Sequence, residues 1–251
     1  GAMMIADDSY AGSETFYRME KAVQNFFGKE YFLPAHQGRA CEHILAKSLV
    51  KEGDLIPMNY HFTTTKTHIN LQGGRVEELY KDKAIELVSD EPFKGDMDLV
   101  KLENLINEVG AEHIPFVRIE MGTNLIGGQP VSLQNVEDVS AICKKHNIPL
   151  MIDASLITDN LYFNKVREER CKDMSIHEIA LAISKCADII YFSARKLGSA
   201  KGGGIVVDSK EYFDNMKELI PVYEGFLTYG GMSTREMEAV AIGLEEACDI
   251  D

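Results

Sequence analysis

The stretch A-D-I-I-Y-F-S-A-R-K-L-G-S-A-K-G-G-G-I-V-V (187–207) holds the decision about the fold. Its apolar run I-I-Y-F-S reads as a buried strand ending at Ser193, and G-I-V-V after the glycine triplet reads as a second, short one. Between them lie Arg195, Lys196 and Lys201, three cations within seven residues. A solvated loop carries such cations for solubility, and an active site carries them for chemistry. Working backwards, a helix is expected over roughly 176–186. Before it come a strand in I-P-L-M-I-D-A-S (148–155), a helix in V-E-D-V-S-A-I-C-K-K-H (136–146) and a buried strand in I-P-F-V-R-I-E-M (114–121). Strands that alternate with helices of about ten residues predict an α/β domain whose mostly parallel sheet is flanked by helices.

The same alternation continues towards the N-terminus. Residues 14–27 carry Phe16, Met19, Val23, Phe26 and Phe27 near one helical stripe. A short strand is expected in Y-F-L-P (31–34), a helix in A-C-E-H-I-L-A-K-S-L-V (40–50), a strand within 54–62, and a helix over 96–109 stopped by Gly110. The chain has 251 residues and a formal net charge of -14, which argues against nucleic-acid or acidic-membrane partners. No apolar run is long enough to cross a bilayer. Five cysteines without C-x-x-C spacing fit reduced thiols and a cytoplasmic location. The chain opens in mid-pattern and stops after a helical run, which reads as a piece of a longer or divided protein.

In parallel α/β sheets, ligands bind beyond the carboxyl ends of the strands. At those ends stand Asp153, Ser193 with Lys196 three residues on, Asn124, and the turn Gln37-Gly38-Arg39 before a helix start. Singly, each has an ordinary reading: a helix cap, a surface lysine, a turn. Together they match the needs of an aldehyde cofactor such as pyridoxal phosphate. It requires a lysine for a Schiff base, a carboxylate against its ring nitrogen, and backbone amides plus a cation for its phosphate. Phe62 offers an aromatic face for the ring.

With these residues in view, the chain resembles the β-eliminating lyases that use pyridoxal phosphate, the tyrosine phenol-lyase and tryptophanase family. The resemblance rests on M-M-I-A-D-D-S-Y-A-G-S-E (3–14), L-P-A-H-Q-G-R (33–39), N-Y-H-F-T-T-T (59–65), G-G-Q-P-V-S-L (127–133), M-I-D-A-S (151–155), S-A-R-K (193–196) and E-G-F-L-T-Y-G-G (224–231). It implies the pyridoxal-phosphate-dependent transferase-like fold of the aspartate aminotransferase class, fold type I. Residues 1–231 would form the cofactor-binding large domain, and 232–251 would begin the helix leading to a small domain. It implies that Lys196 carries the cofactor and later moves the substrate's α-proton, and that Asp153 pairs with the ring nitrogen. Gln37, Gly38, Arg39 and Ser193 would hold the phosphate, Phe62 would stack on the ring, and Asn124 would bond its phenolic oxygen. Tyr10 would be the general acid to the leaving group, and Tyr229 would reach a neighbouring subunit's site in a homodimer or homotetramer. Thr63, after Phe62, favours tyrosine over tryptophan as the substrate cleaved to pyruvate, ammonium and phenol.

The sequence departs from the family at several places, the mildest being Arg195, where relatives carry a lysine before the cofactor lysine. Leu156 stands where relatives carry an arginine near the phenolic oxygen, which points to altered cofactor electronics or to another leaving group, such as the thiol of cysteine. Lys201 stands where relatives have an asparagine that helps to bind a monovalent cation. Its ammonium is expected either to replace that ion by pairing with Asp8 or simply to be exposed. The small-domain arginine for the substrate carboxylate is not in the chain, and Arg235 is a poor substitute, so a catalytically inactive large domain is the remaining alternative.

Overall fold

The computed structural model describes residues 1–8, 11–197 and 200–248. Its strands are β1 (Tyr31–Ala35), β2 (Leu55–Met58), β3 (Arg75–Glu78), β4 (Val117–Glu120), β5 (Leu150–Asp153), β6 (Ile189–Ser193) and β7 (Gly203–Val207). They form one sheet in the order β1-β7-β6-β5-β4-β2-β3. The run β3-β2-β4-β5-β6 is parallel, and β7 lies antiparallel to both β6 and β1. Every residue of β4 and β5 is buried, as expected for central parallel strands covered on both faces.

The helices are α1 (Glu14–Phe27), α2 (Gly38–Leu49), α3 (Thr63–Leu71), α4 (Leu99–Val109), α5 (Leu133–His146), α6 (Ile157–Arg167), α7 (Ile176–Cys186), α8 (Ala194–Leu197), α9 (Lys210–Lys217), α10 (Ile220–Tyr223) and α11 (Thr234–Ala247). Their ends follow local chemistry. Ser13 accepts from the Phe16 amide to start α1, and Gly28 closes it at φ 64. Asp98 accepts from the Val100 and Lys101 amides to start α4, which ends at Gly110. Reciprocal capping boxes, Ser175 with Glu178 and Ser233 with Glu236, start α7 and α11.

Apolar side chains gather on both sides of the sheet. One core joins α1, α4, α5, α6, α7 and α11 to one face through Phe27, Val136, Ile152, Ile179, Phe192 and Leu244. The other packs α2 on the opposite face through Ile44, Leu45, Met151, Tyr191 and Ile205. The stripe of α1 read from the sequence faces the first core, and α11 packs against α1 inside it. Strands alternate their faces, so Arg118, Glu120, Asp153 and Tyr191 all point to the side covered by α2. That shared direction sets up the site.

Candidate active site

A cleft of about 380 Å³ opens beyond the carboxyl ends of β4, β5 and β6, lined among others by Gln37, Gly38, Arg39, Phe62, Asp153, Ser193 and Lys196. These seven residues arrive from four separate stretches of sequence. Asn124, Thr63 and Tyr229 do not reach its wall. Asn124 opens a turn beyond β4, where its backbone amide donates to Glu120 Oε1 (3.0 Å). Thr63 is exposed as the first residue of α3, and its neighbour Thr64 faces the cleft instead. The half-buried Tyr229 packs its ring against Phe226, 5.9 Å between centroids. Tyr10 lies outside the described residues.

At one side of the cleft, α2 begins. Gln37 is its N-cap residue, and no described side chain caps the helix, so first-turn amides face the cleft with the positive end of the helix dipole. Gly38 allows the turn to press onto β6: a Cβ at that position would lie 2.8 Å from Ser193 Cβ. Such contact needs glycine for space rather than for backbone conformation. Exposed Arg39 adds a cation beside those amides. An anion such as phosphate fits this corner.

Across the cleft, Lys196 sits in α8, exposed, with Nζ 5.4 Å from the Phe62 ring centroid. Arg195 lines the same opening. Leu156, the N-cap residue of α6, also lines it and packs so closely on Gly122 that a Cβ there would lie 2.8 Å from Leu156 Cβ. The cation expected in relatives is thus replaced by an apolar wall.

The floor holds residues that the sequence reading missed. Asp153 Oδ1 accepts from the Ser155 amide (3.0 Å), and Oδ2 accepts from Arg118 Nη2 (2.6 Å) and the Tyr191 hydroxyl (2.9 Å). Arg118 is fully buried. Burial opposes its charge, but contacts with Tyr191, Asp153, Glu120 and Glu42 outweigh that and keep the guanidinium protonated. Glu120 pairs with Asp153 in the β4–β5 register, and burial pushes its carboxyl up to about 7 against the opposing pull of Arg118. Burial, then the nearby Asp153, also raises Glu42, whose oxygens accept from Thr64 (2.5 Å) and Thr65 (2.6 Å). The available signal was the pair of charges two residues apart inside an otherwise apolar strand, because charged groups are seldom buried without partners.

Of the two expectations for Lys201, pairing with Asp8 or exposure, the geometry has the second. Both residues are exposed, and no ion pair joins them among the described residues. The acidic group engaged there is Asp7, whose carboxylate accepts from the Thr15 and Glu14 amides at the start of α1.

Fold comparison places the chain first in a class. It superposes on serine palmitoyltransferase of Sphingomonas wittichii with a TM-score of 0.66 at 13% identity, covering 98% of this chain and 56% of that one. A structure of SPT with PLP gives a TM-score of 0.65 at 11% identity, again over 98% and 56%. This is the expected fold type I arrangement. The chain belongs to the beta-eliminating lyase family, whose model matches residues 1–244. Tyrosine phenol-lyase of Symbiobacterium sp. (strain SC-1) is 40% identical over 100% of this chain and 55% of its own length. Tyrosine phenol-lyase of Fusobacterium nucleatum is 41% identical over 98% and 54%. A probable beta-eliminating lyase of Trichomonas vaginalis is 40% identical over 100% and 55%. The chain spans about half the length of these curated relatives.

Proposed function

We propose that this chain carries the cofactor site of a pyridoxal-phosphate-dependent lyase that cleaves tyrosine by β-elimination to phenol, pyruvate and ammonium. One observation carries the reading: a single cleft gathers an accessible lysine, an aromatic face, a strand-end carboxylate and a helix start pressed onto Ser193. The residues fit the cofactor. The Gly38 corner would be filled by a Cβ, and the cleft is polar where the phosphate belongs and open at Lys196.

Pyridoxal phosphate, when bound, supplies an electron sink conjugated to the substrate's α-carbon. The chain's own residues do the rest. Gln37, Gly38, Arg39 and Ser193 would hold the phosphate, Phe62 would cover one ring face, and Asp153 would accept from the ring nitrogen. Lys196 would hold the cofactor's aldehyde group, and its Nζ, when free, would take the substrate's α-proton. Asn124 and Thr63 lie beside the cleft and would need to turn towards a bound ligand to contact it. Tyr10 is assigned to protonating the leaving group.

The relatives bearing the name tyrosine phenol-lyase favour tyrosine over tryptophan and over cysteine. A homodimer or homotetramer, with Tyr229 reaching a neighbouring subunit's site, belongs to the same reading. The five free cysteines fit a reducing, cytoplasmic compartment, and no described helix is long and apolar enough to cross a membrane. The test is borohydride reduction of the protein mixed with pyridoxal phosphate, followed by peptide mass analysis. A label on Lys196 that is absent from Lys196→Ala is expected, with phenol released from tyrosine by the whole protein. A label on another lysine, or none, would sink the reading.

A further inference from the structure

Arg118 is costly where it stands. It is buried between α2 and the sheet, where replacing an ion pair by apolar groups of similar shape is often neutral or even stabilising. Its shortest hydrogen bonds go to Asp153 and to Tyr191, which itself bonds Asp153. Nη2 donates to Asp153 Oδ2 (2.6 Å). Nε (3.1 Å) and Nη2 (2.9 Å) also donate to the Tyr191 hydroxyl, which donates onward to the same Oδ2 (2.9 Å). Nη1 reaches the Tyr60 carbonyl and Glu120 Oε2, each at 3.4 Å. Arg118 comes from β4 and Tyr191 from β6, so the two grip Asp153 of β5 from the strands on either side.

Counting acceptor positions shows what the grip leaves. A carboxylate offers about four lone-pair directions, two on each oxygen. Oδ2 receives two donors and Oδ1 one, from the Ser155 amide. One direction on Oδ1 remains, and Asp153 lines the cleft.

We propose that Arg118 and Tyr191 are positioning residues for Asp153, locking its Oδ2 from two neighbouring strands so that the one open acceptor on Oδ1 meets the N–H of a planar heterocycle held in the cleft. This rests on the pyridoxal phosphate reading above and adds the device that aims the carboxylate. The carboxylate cannot rotate away, because turning would break the Ser155, Arg118 and Tyr191 bonds together. Glu42 and Glu120 are the other acids facing the cluster, from α2 and β4, and burial raises both carboxyls.

The experiment compares two ligands on three proteins. Pyridoxal phosphate and its analogue with the ring nitrogen replaced by C–H are titrated, by absorbance and fluorescence, onto the unmodified protein, Tyr191→Phe and Arg118→Lys. The unmodified protein is expected to prefer the nitrogen-bearing ligand. Each variant should lose about tenfold or more of that preference, the worth of a charged hydrogen bond, while its affinity for the carbon analogue stays put. Equal losses for both ligands would mean that the two residues merely hold the fold, and would overturn the proposal. A preserved preference in Tyr191→Phe would overturn it too, even if Arg118→Lys does not fold. If the unmodified protein captures pyridoxal phosphate on Lys196 yet shows no preference, the inference fails alone. If it captures neither ligand, the cofactor reading fails and takes the inference with it.

Discussion

Arg118 Nη2 lies 2.6 Å from Asp153 Oδ2, and both side chains are buried beneath the cleft that carries Lys196. The pair holds together a layer of charge between α2 and the sheet that also contains Glu42 and Glu120. Removing the cation leaves these acids without a counter-charge in a dry environment. Arg118→Met is therefore expected to cost about 3–5 kcal/mol of stability. Urea unfolding checks this, and a midpoint within error of the parent protein would contradict it. Arg118→Met combined with Glu120→Leu should recover part of the loss, because one stranded acid is gone.

Stability should fall as the solution becomes basic, with Glu120 responsible for much of the fall. Burial pushes its carboxyl up to about 7 from an ordinary 4.5, with Arg118 opposing and Asp153 adding to the rise. The folded protein therefore holds this proton more tightly than the unfolded chain does. Its contribution is fully present below 4.5 and is lost as the pH rises through 7. Glu120→Gln should flatten the stability profile over this window, with a difference at about pH 8 on the order of 1–3 kcal/mol. Thermal unfolding scanned against pH reads the slope directly. An unchanged slope would assign the effect elsewhere.

Much of this site could be read from the sequence because its parts stand where a local pattern changes. I-I-Y-F-S ends at Ser193, L-M-I-D ends at Asp153, and Gln37-Gly38 separates a strand from a helix. What escaped depends on contacts between distant segments. Arg118 and Glu120 look like interruptions of an apolar strand until β5 brings Asp153 beside them. Helix α3 opens with T-T-T-K-T, whose β-branched residues favour extended backbone; it forms because Thr65 and Ile69 are buried while the Thr67 hydroxyl bonds back to the Thr63 carbonyl. Strand β3, R-V-E-E, has no apolar run and sits at the sheet edge, where charged side chains protect the exposed hydrogen-bonding groups. The ion-pair alternative for Lys201 is absent among the described residues for the opposite reason. It was inferred from two positions in the chain, and the fold leaves both in solvent.

Restoring the cation at Leu156 offers a separate lever on the site. Leu156 and Glu120 both line the cleft, and Glu120 is raised there mainly by burial. An opposite charge nearby favours the ionised carboxylate. Leu156→Arg should therefore move the inflection assigned to Glu120 downward from about 7 and strengthen the cleft's hold on inorganic phosphate. The same pH scan and a phosphate titration measure both effects. An inflection that stays in place would show that the new side chain points out of the cleft.

Gly38 provides the sharpest test of the phosphate corner. A Cβ there would lie 2.8 Å from Ser193 Cβ, 3.3 Å from its Cα and 3.4 Å from its amide nitrogen. Ser193 has little room to yield. Its amide donates to Ser155 Oγ (3.1 Å), and its backbone pairs with Gly203, which is itself pressed against Gln37 and Gly38. Gly38→Ala should force the start of α2 away from β6, at a cost of about 1–3 kcal/mol for overpacking. Displacing the first-turn amides should also weaken binding of inorganic phosphate and of pyridoxal phosphate by about tenfold or more. Gly53→Ala separates the two effects. Gly53 has φ +89 and open space around it, so alanine there strains the backbone far from the cleft without crowding anything. Comparable losses of stability in the two variants, with phosphate affinity lost in Gly38→Ala alone, are expected from calorimetric titration alongside urea unfolding. Full phosphate affinity in a folded Gly38→Ala protein would remove this corner from the binding site.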